Sequence, residues 1–156
     1  MKEMDARLFQ YMKERKENIE RHSIKITAAL NEIEKCIDNV TQGINFRYVD
    51  PYVLLETTNS DGYKIEYNLF IDKDGIYIRV NDYCRDDFEY IRFGTTTNKI
   101  QKCIVKRLPI FLNNYVKELA AFEDKCQQTA NMAEQLEFTF KEKAFYKKYG
   151  SVYKPE

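Results

Sequence analysis

The residues best equipped for chemistry in this chain are few, and their spacing limits what they can do. His22 is the one histidine, so a histidine-based triad or zinc site has no second imidazole to recruit. The thiol of Cys126 can be drawn beside His22 if the helices carrying them pair antiparallel. A thiol–imidazole pair in a helix seam, however, has no oxyanion donors, and a lone histidine there reads first as structural. Asp82, Asp86, Asp87 and Glu89 form a local acidic cluster of the kind that metal-dependent nucleases use. No E-x-K pair accompanies it on a neighbouring strand, and solvated loop acids are the simpler reading. Asp72-Lys73-Asp74-Gly75 has the look of a calcium-loop fragment, but its glycine comes fourth and lies inside a hairpin. A calcium-binding EF-hand needs glycine sixth, glutamate twelfth and a helix on either side. With five glycines and neither G-x-x-x-x-G-K-[ST] nor G-x-G-x-x-G, no phosphate-cradling loop is expected. No catalytic residue, metal or cofactor is assigned, and the chain reads as a non-enzyme.

Two other groups of side chains suit binding. Lys99, Lys102, Lys106 and Arg107 make a basic stripe opposite Ile100, Ile104 and Leu108. Lys141, Lys143, Lys147, Lys148 and Lys154 follow, interleaved with Phe145, Tyr146, Tyr149 and Tyr153. Basic residues among aromatics can hold phosphates and stack bases, although lysine runs are more often solvated helix faces. The second group is Tyr77, Arg79, Asn81 and Tyr83, joined by Tyr90 and Arg92 from the next strand. If Ile76, Ile78 and Val80 face a core, these residues share the opposite face. Tyr and Arg are enriched at binding hot spots, while Tyr is also simply a good strand former.

The elements that must position these groups are legible from periodicity. From Met12, steps of seven give Met12, Ile19, Ile26, Ile33 and Val40; from Leu8 they give Leu8, Arg15, His22, Ala29 and Cys36. Both rows lie on one helical seam. The pattern predicts a helix over residues 1–42, about 55 Å for Met4 to Val40, with Gly43 ending it. From 44 to 93 the period falls to two. Ile44–Tyr48, Tyr52–Thr58, Tyr63–Ile71, Ile76–Val80 and Phe88–Phe93 read as an antiparallel meander of four or five strands. Turns fall at Asn59–Gly62 and Asp72–Gly75. Gly94–Asn98 closes the sheet and caps a helical segment over 98–149, expected to kink or break near Pro109. Its rows are Leu108, Tyr115, Phe122, Thr129, Leu136 and Leu112, Leu119, Cys126, Ala133, Phe140. The expected fold is a single α+β domain, 1–156, whose two long helical segments pair antiparallel, with Val40 level with Leu108. Exposure of the seams to a second chain, as in a homodimer, is the alternative.

Composition narrows the class further. At 156 residues the chain can bury a real core. Its formal net charge of zero provides no global field toward nucleic acid or membrane. The middle is mildly acidic and the C-terminal part mildly basic. No signal peptide and no span-length apolar run is seen. Cys36, Cys84, Cys103 and Cys126 lie far apart and are expected to be reduced core thiols in a cytoplasmic protein. Plentiful Lys, Asn, Ile and Tyr with no Trp suit an AT-rich genome, such as that of a Firmicute or its phages. The expected function is a non-enzymatic protein-binding module that occupies or bridges a protein partner. Its concrete form would be a phage or mobile-element inhibitor of a host defence complex, an anti-CRISPR-like role. The alternative is a nucleic-acid-associated protein that uses the lysines and Tyr149.

Overall fold

A computed structural model describes the backbone of residues 2–85 and 87–149 and the side chains of 5–85 and 87–144. Its elements follow the order helix, five strands, helix, giving an α+β chain. Helix α1 spans Lys2–Thr41. Gly43, at φ +87°, turns the chain out of it, and its N–H donates to the Lys73 carbonyl at 2.8 Å. The strands are β1 (Tyr48–Val49), β2 (Leu55–Thr58), β3 (Lys64–Asp72), β4 (Gly75–Asp82) and β5 (Asp87–Ile91). A 3-10 turn, Phe93–Thr95, leads to α2, Asn98–Tyr149. Thr97 caps α2 with its hydroxyl 3.5 Å from the Ile100 nitrogen. The chain divides into two compact units, Met1–Asn114 and Tyr115–Glu156.

The sheet departs from a simple meander at its first edge. β3, β4 and β5 pair in sequence, but β1 and β2 do not pair with each other. Both lie antiparallel along the same edge of β3, Tyr48 opposite Ile71 and Leu55 opposite Tyr67. They amount to one edge strand with a bulge between them. The Asp50 N–H donates to Leu69 and the Leu54 N–H to Tyr67, so four positions on the edge span two on β3. Pro51, with no N–H to contribute, sits in the bulge, where a strand tolerates it. The bulge turns Asp50 inward, to 1 % exposure. The β3–β4 hairpin turns at Gly75, φ +122°, and the preceding turn at Gly62, φ +84°.

Alternation then sorts the sheet into two faces. Leu69, Ile71, Ile76 and Ile78 lie on one and are buried, together with Leu30 and Ile37 of α1 and Ile100, Ile104, Leu108 and Phe111 of α2. Each such side chain contributes about 1.5–3 kcal/mol on burial. The basic stripe's apolar counterpart, Ile100–Ile104–Leu108, is thus core as its spacing implies. α2 continues through Pro109 without interruption, so the anticipated break does not occur. The missing proline N–H leaves only the carbonyl one turn back without its helical donor, and Val105 there is exposed to water.

α1 meets the core only through its C-terminal part, with residues beside the heptad rows. Leu30, Glu34, Ile37, Asp38 and Thr41 are buried, while the row positions Ile33 and Val40 there are 39 % and 74 % exposed; Met12 and Ile19, earlier in the helix, are 54 % and 60 % exposed. The two helices touch within the first unit at Asn98–Ser23 and Gln101–Thr27. Both partners advance along their helices together, so the local direction is the same. Within this unit the pairing is therefore not the antiparallel one that set Val40 level with Leu108. His22 lines a groove with Asn98, Lys102 and Lys106. In the second unit Leu136 and Phe140 of the other heptad rows are also exposed. The four cysteines are free, but they are not core residues: Cys36, Cys84 and Cys126 are exposed and Cys103 half-buried. Among the described residues, no helix is long and apolar enough to cross a membrane.

Gly75 illustrates how closely α1 approaches the sheet. A Cβ there would lie 2.1 Å from Asp38 Oδ1, the oxygen that accepts the Ile76 N–H at 2.9 Å. Gly75→Ala should therefore combine an unfavourable φ with a displaced buried carboxylate. We expect a loss of about 2–3 kcal/mol, read as a lower urea midpoint with unchanged slope. Gly62→Ala, where nothing lies within 4 Å, should lose only the backbone contribution.

Candidate functional site

The sheet face turned away from the helical core gathers most of the residues anticipated for partner binding. Tyr77, Arg79 and Asn81 alternate outward on β4, and the register sets Arg79 opposite Tyr90 and Asn81 opposite Phe88 on β5. On the other side of β4, Phe70 stands opposite Tyr77. The rings converge: Phe70 and Tyr90 have centroids 5.2 Å apart, and Tyr77 meets Tyr90 edge-on at 6.4 Å. The Arg79 guanidinium lies 3.5 Å from the Phe88 ring centroid, close enough for a cation–π contact. Its Nε is buried and makes no hydrogen bond. Phe70 is 2 % exposed although it lies on this outer face, covered by Tyr90 and by Arg47 at 5.2 Å. Phe88 and Tyr90 remain 43 % and 44 % exposed.

Phe70 and Phe88 were not among the anticipated contacts. Their signal was available, since Phe88 shares the two-residue period of Tyr90 and Arg92. Joining Phe70 to the group required the β3–β4 register.

Tyr83 does not join this cluster, and Arg92 touches it only through the Tyr77 ring. Tyr83, half-exposed, donates its hydroxyl to Glu66 at 3.2 Å. Lys64 pairs with the same carboxylate at 2.7 Å and lies over the Tyr83 ring at 5.5 Å. The Lys64 ammonium holds the Glu66 carboxyl below its ordinary pKa, helped by the Tyr83 hydroxyl. Arg92 is committed inside the molecule. It pairs with Glu34 at 2.7 Å and with Asp38, donates to the Ile76 carbonyl at 3.1 Å, and covers the Tyr77 ring at 4.7 Å. Both acids are nearly buried, and the Phe93 N–H donates to Glu34 at 2.8 Å. Burial raises the Tyr77 phenol pKa. The outer-face cluster therefore centres on Arg79, Phe88 and Tyr90, with Tyr77 half-covered behind them and Asn81 at its side.

The basic group is thinner than its sequence suggests. Lys99, Lys102 and Lys106 are exposed, but Arg107 is not free. It grips Asp50 with two hydrogen bonds, Nε to Oδ2 at 2.8 Å and Nη2 to Oδ1 at 2.9 Å, and stacks over Tyr52 at 4.2 Å. The Asp50 hydrogen bond raises the Arg107 pKa further. Lys143 is exposed, whereas Lys147, Lys148 and Tyr149 lie outside the residues with described side chains, as do Phe145, Tyr146, Tyr153 and Lys154.

Of the acidic cluster, Asp86 lies outside the described residues. Asp82 accepts the Cys84 N–H at 2.9 Å and Asp87 the Phe88 N–H at 2.7 Å, which is turn chemistry. With Glu89 and Arg85 they border a cleft of about 490 Å³. Among the described residues no three His, Cys, Asp or Glu side chains converge on a point that could hold a metal ion. Comparison with protein-family models, curated proteins and solved structures found no match to this chain.

Proposed function

We propose that this protein is a non-enzymatic protein-binding module that acts by occupying a surface of its partner, with the outer sheet face as the contact. The observation that carries this reading is the cluster of Arg79, Phe88 and Tyr90 on a face the helical core leaves uncovered. Planar side chains give contact area at little conformational cost. Loss of one hot-spot side chain typically costs 2 kcal/mol or more, about a thirtyfold change in affinity.

The test is capture from a host lysate by the tagged chain, with and without nuclease, beside an Arg79→Ala, Tyr90→Ala double variant. A stoichiometric protein that survives nuclease should be recovered by the parent chain. The double variant should lose it, with its unfolding free energy lowered by no more than about 1–2 kcal/mol. Undiminished capture by the double variant would reject the sheet face. Recovery only without nuclease would instead favour nucleic acid, with affinity falling steeply with salt and the Lys147→Glu, Lys148→Glu variant as the next comparison.

A further inference from the structure

The first unit carries a second surface with the marks of a binding site, in the groove between α1 and the first turns of α2. Its walls are Ile19, Ile26 and Val105, and it encloses about 520 Å³. Its exposed lining is mostly apolar, although polar side chains share it with these three, and Gln101 borders it at 2 % exposure. The Gln101 amide donates from Nε2 to the Thr27 hydroxyl at 3.1 Å, while its Oε1 is buried with no hydrogen bond from the protein. A buried polar atom without a partner typically costs about 1–3 kcal/mol, and a ligand that supplies the partner recovers it.

Charge and length define the occupant. The charged side chains on the rim are Lys102 and Lys106, joined by His22, and none of the residues lining the groove is acidic. The groove continues along α1 into a shallower one that shares Ile19 and carries Met12, Arg15 and Lys16. Glu20 at its edge is 3.9 Å from Lys16. From Met12 to Ile26 this apolar track is about 21 Å long, four helical turns. A second copy of α1 matches these lysines less well than an acidic helix would, because α1 carries as many bases as acids and its seam holds Arg15. We infer that the groove receives an acidic amphipathic helix of a partner protein. Its apolar stripe would lie on Ile19, Ile26 and Val105, its carboxylates against Lys102 and Lys106, and a side-chain hydroxyl or amide against Gln101. This is helix-in-groove recognition, and it rests on the protein-binding reading above while naming a different surface.

Two fluorescein-labelled helical peptides test it, both about two heptads long with leucine at the seam positions, one with glutamate and one with lysine elsewhere. Titrated with the full chain and followed by anisotropy, the glutamate peptide should saturate at one per chain. The exposed pair Lys102→Glu, Lys106→Glu should weaken it at least tenfold and transfer preference to the lysine peptide. Ile19→Asn should weaken both, with the circular dichroism spectrum unchanged. Equal binding of the two peptides, indifference to the charge reversal, or no saturation would overturn the inference. So would a dimer that Ile19→Asn disperses, since a second copy would then cover the groove. If these variants bind no peptide differently while capture still depends on Arg79 and Tyr90, the groove fails and the sheet-face reading stands.

Discussion

Arg107→Ala should lower the unfolding free energy by about 3–5 kcal/mol, the range for stranding one half of a buried ion pair. Asp50 is the reason. Its side chain is 0 % exposed and that of Arg107 18 %, so little water can replace the guanidinium. The Asp50 carboxylate would keep the Tyr52 N–H at 3.1 Å but lose both charge-assisted bonds. The edge-strand bulge that aims Asp50 inward should loosen with it. Equilibrium urea unfolding checks the size of the loss. Asp50→Asn with Arg107→Met, which removes both charges, should recover a substantial part of it. A single variant within 1 kcal/mol of the parent would mean the pair is better hydrated than its geometry implies.

Arg92→Ala should follow with about 3 kcal/mol. It strands two nearly buried acids rather than one, but the Arg92 side chain is 37 % exposed, so solvent screening reduces the loss. Glu34 and Asp38 would each retain one backbone N–H. Arg92→Lys should restore only part of the stability, because an ammonium cannot fork to two carboxylates and a carbonyl as a guanidinium does. The same variant separates two roles for this residue. If Arg92 is a contact residue, Arg92→Lys should impair partner capture at unchanged stability. The ion-pair geometry predicts the reverse, a lower thermal midpoint with capture intact below it.

These pairs show where sequence reading stopped. Glu34 and Asp38 each lie more than fifty residues from Arg92, and Asp50 lies as far from Arg107. Nothing in their local patterns distinguishes them from surface charges. Arg92 alternates with Tyr90 and Phe88, so its period placed it on the outer face. It leaves that face because β5 ends at Ile91 and the next turn brings the guanidinium to α1. Arg107 directly follows Lys106 in the chain, and nothing local marks it as the residue to which the Pro51 bulge presents a carboxylate.

By itself the sequence determined the elements and the pleat of the sheet, because backbone geometry reads side-chain period directly. A 40-residue span without Gly or Pro became α1. Alternation of Ile76, Ile78 and Tyr77, Arg79 became two faces of β4, and glycines at the turns took positive φ. The tertiary structure alone decided which part of α1 is buried. At about 100° per residue, Met12, Ile19 and Ile26 lie on nearly the same side of the helix as Leu30 and Ile37, yet the first three are exposed and the last two buried. Period fixes a side of a helix, not the length of it that the sheet covers. Glu34 and Asp38 are buried beside Leu30 and Ile37 because Arg92 and backbone donors offset the cost of desolvating two carboxylates. The earlier turns of that side are left in water.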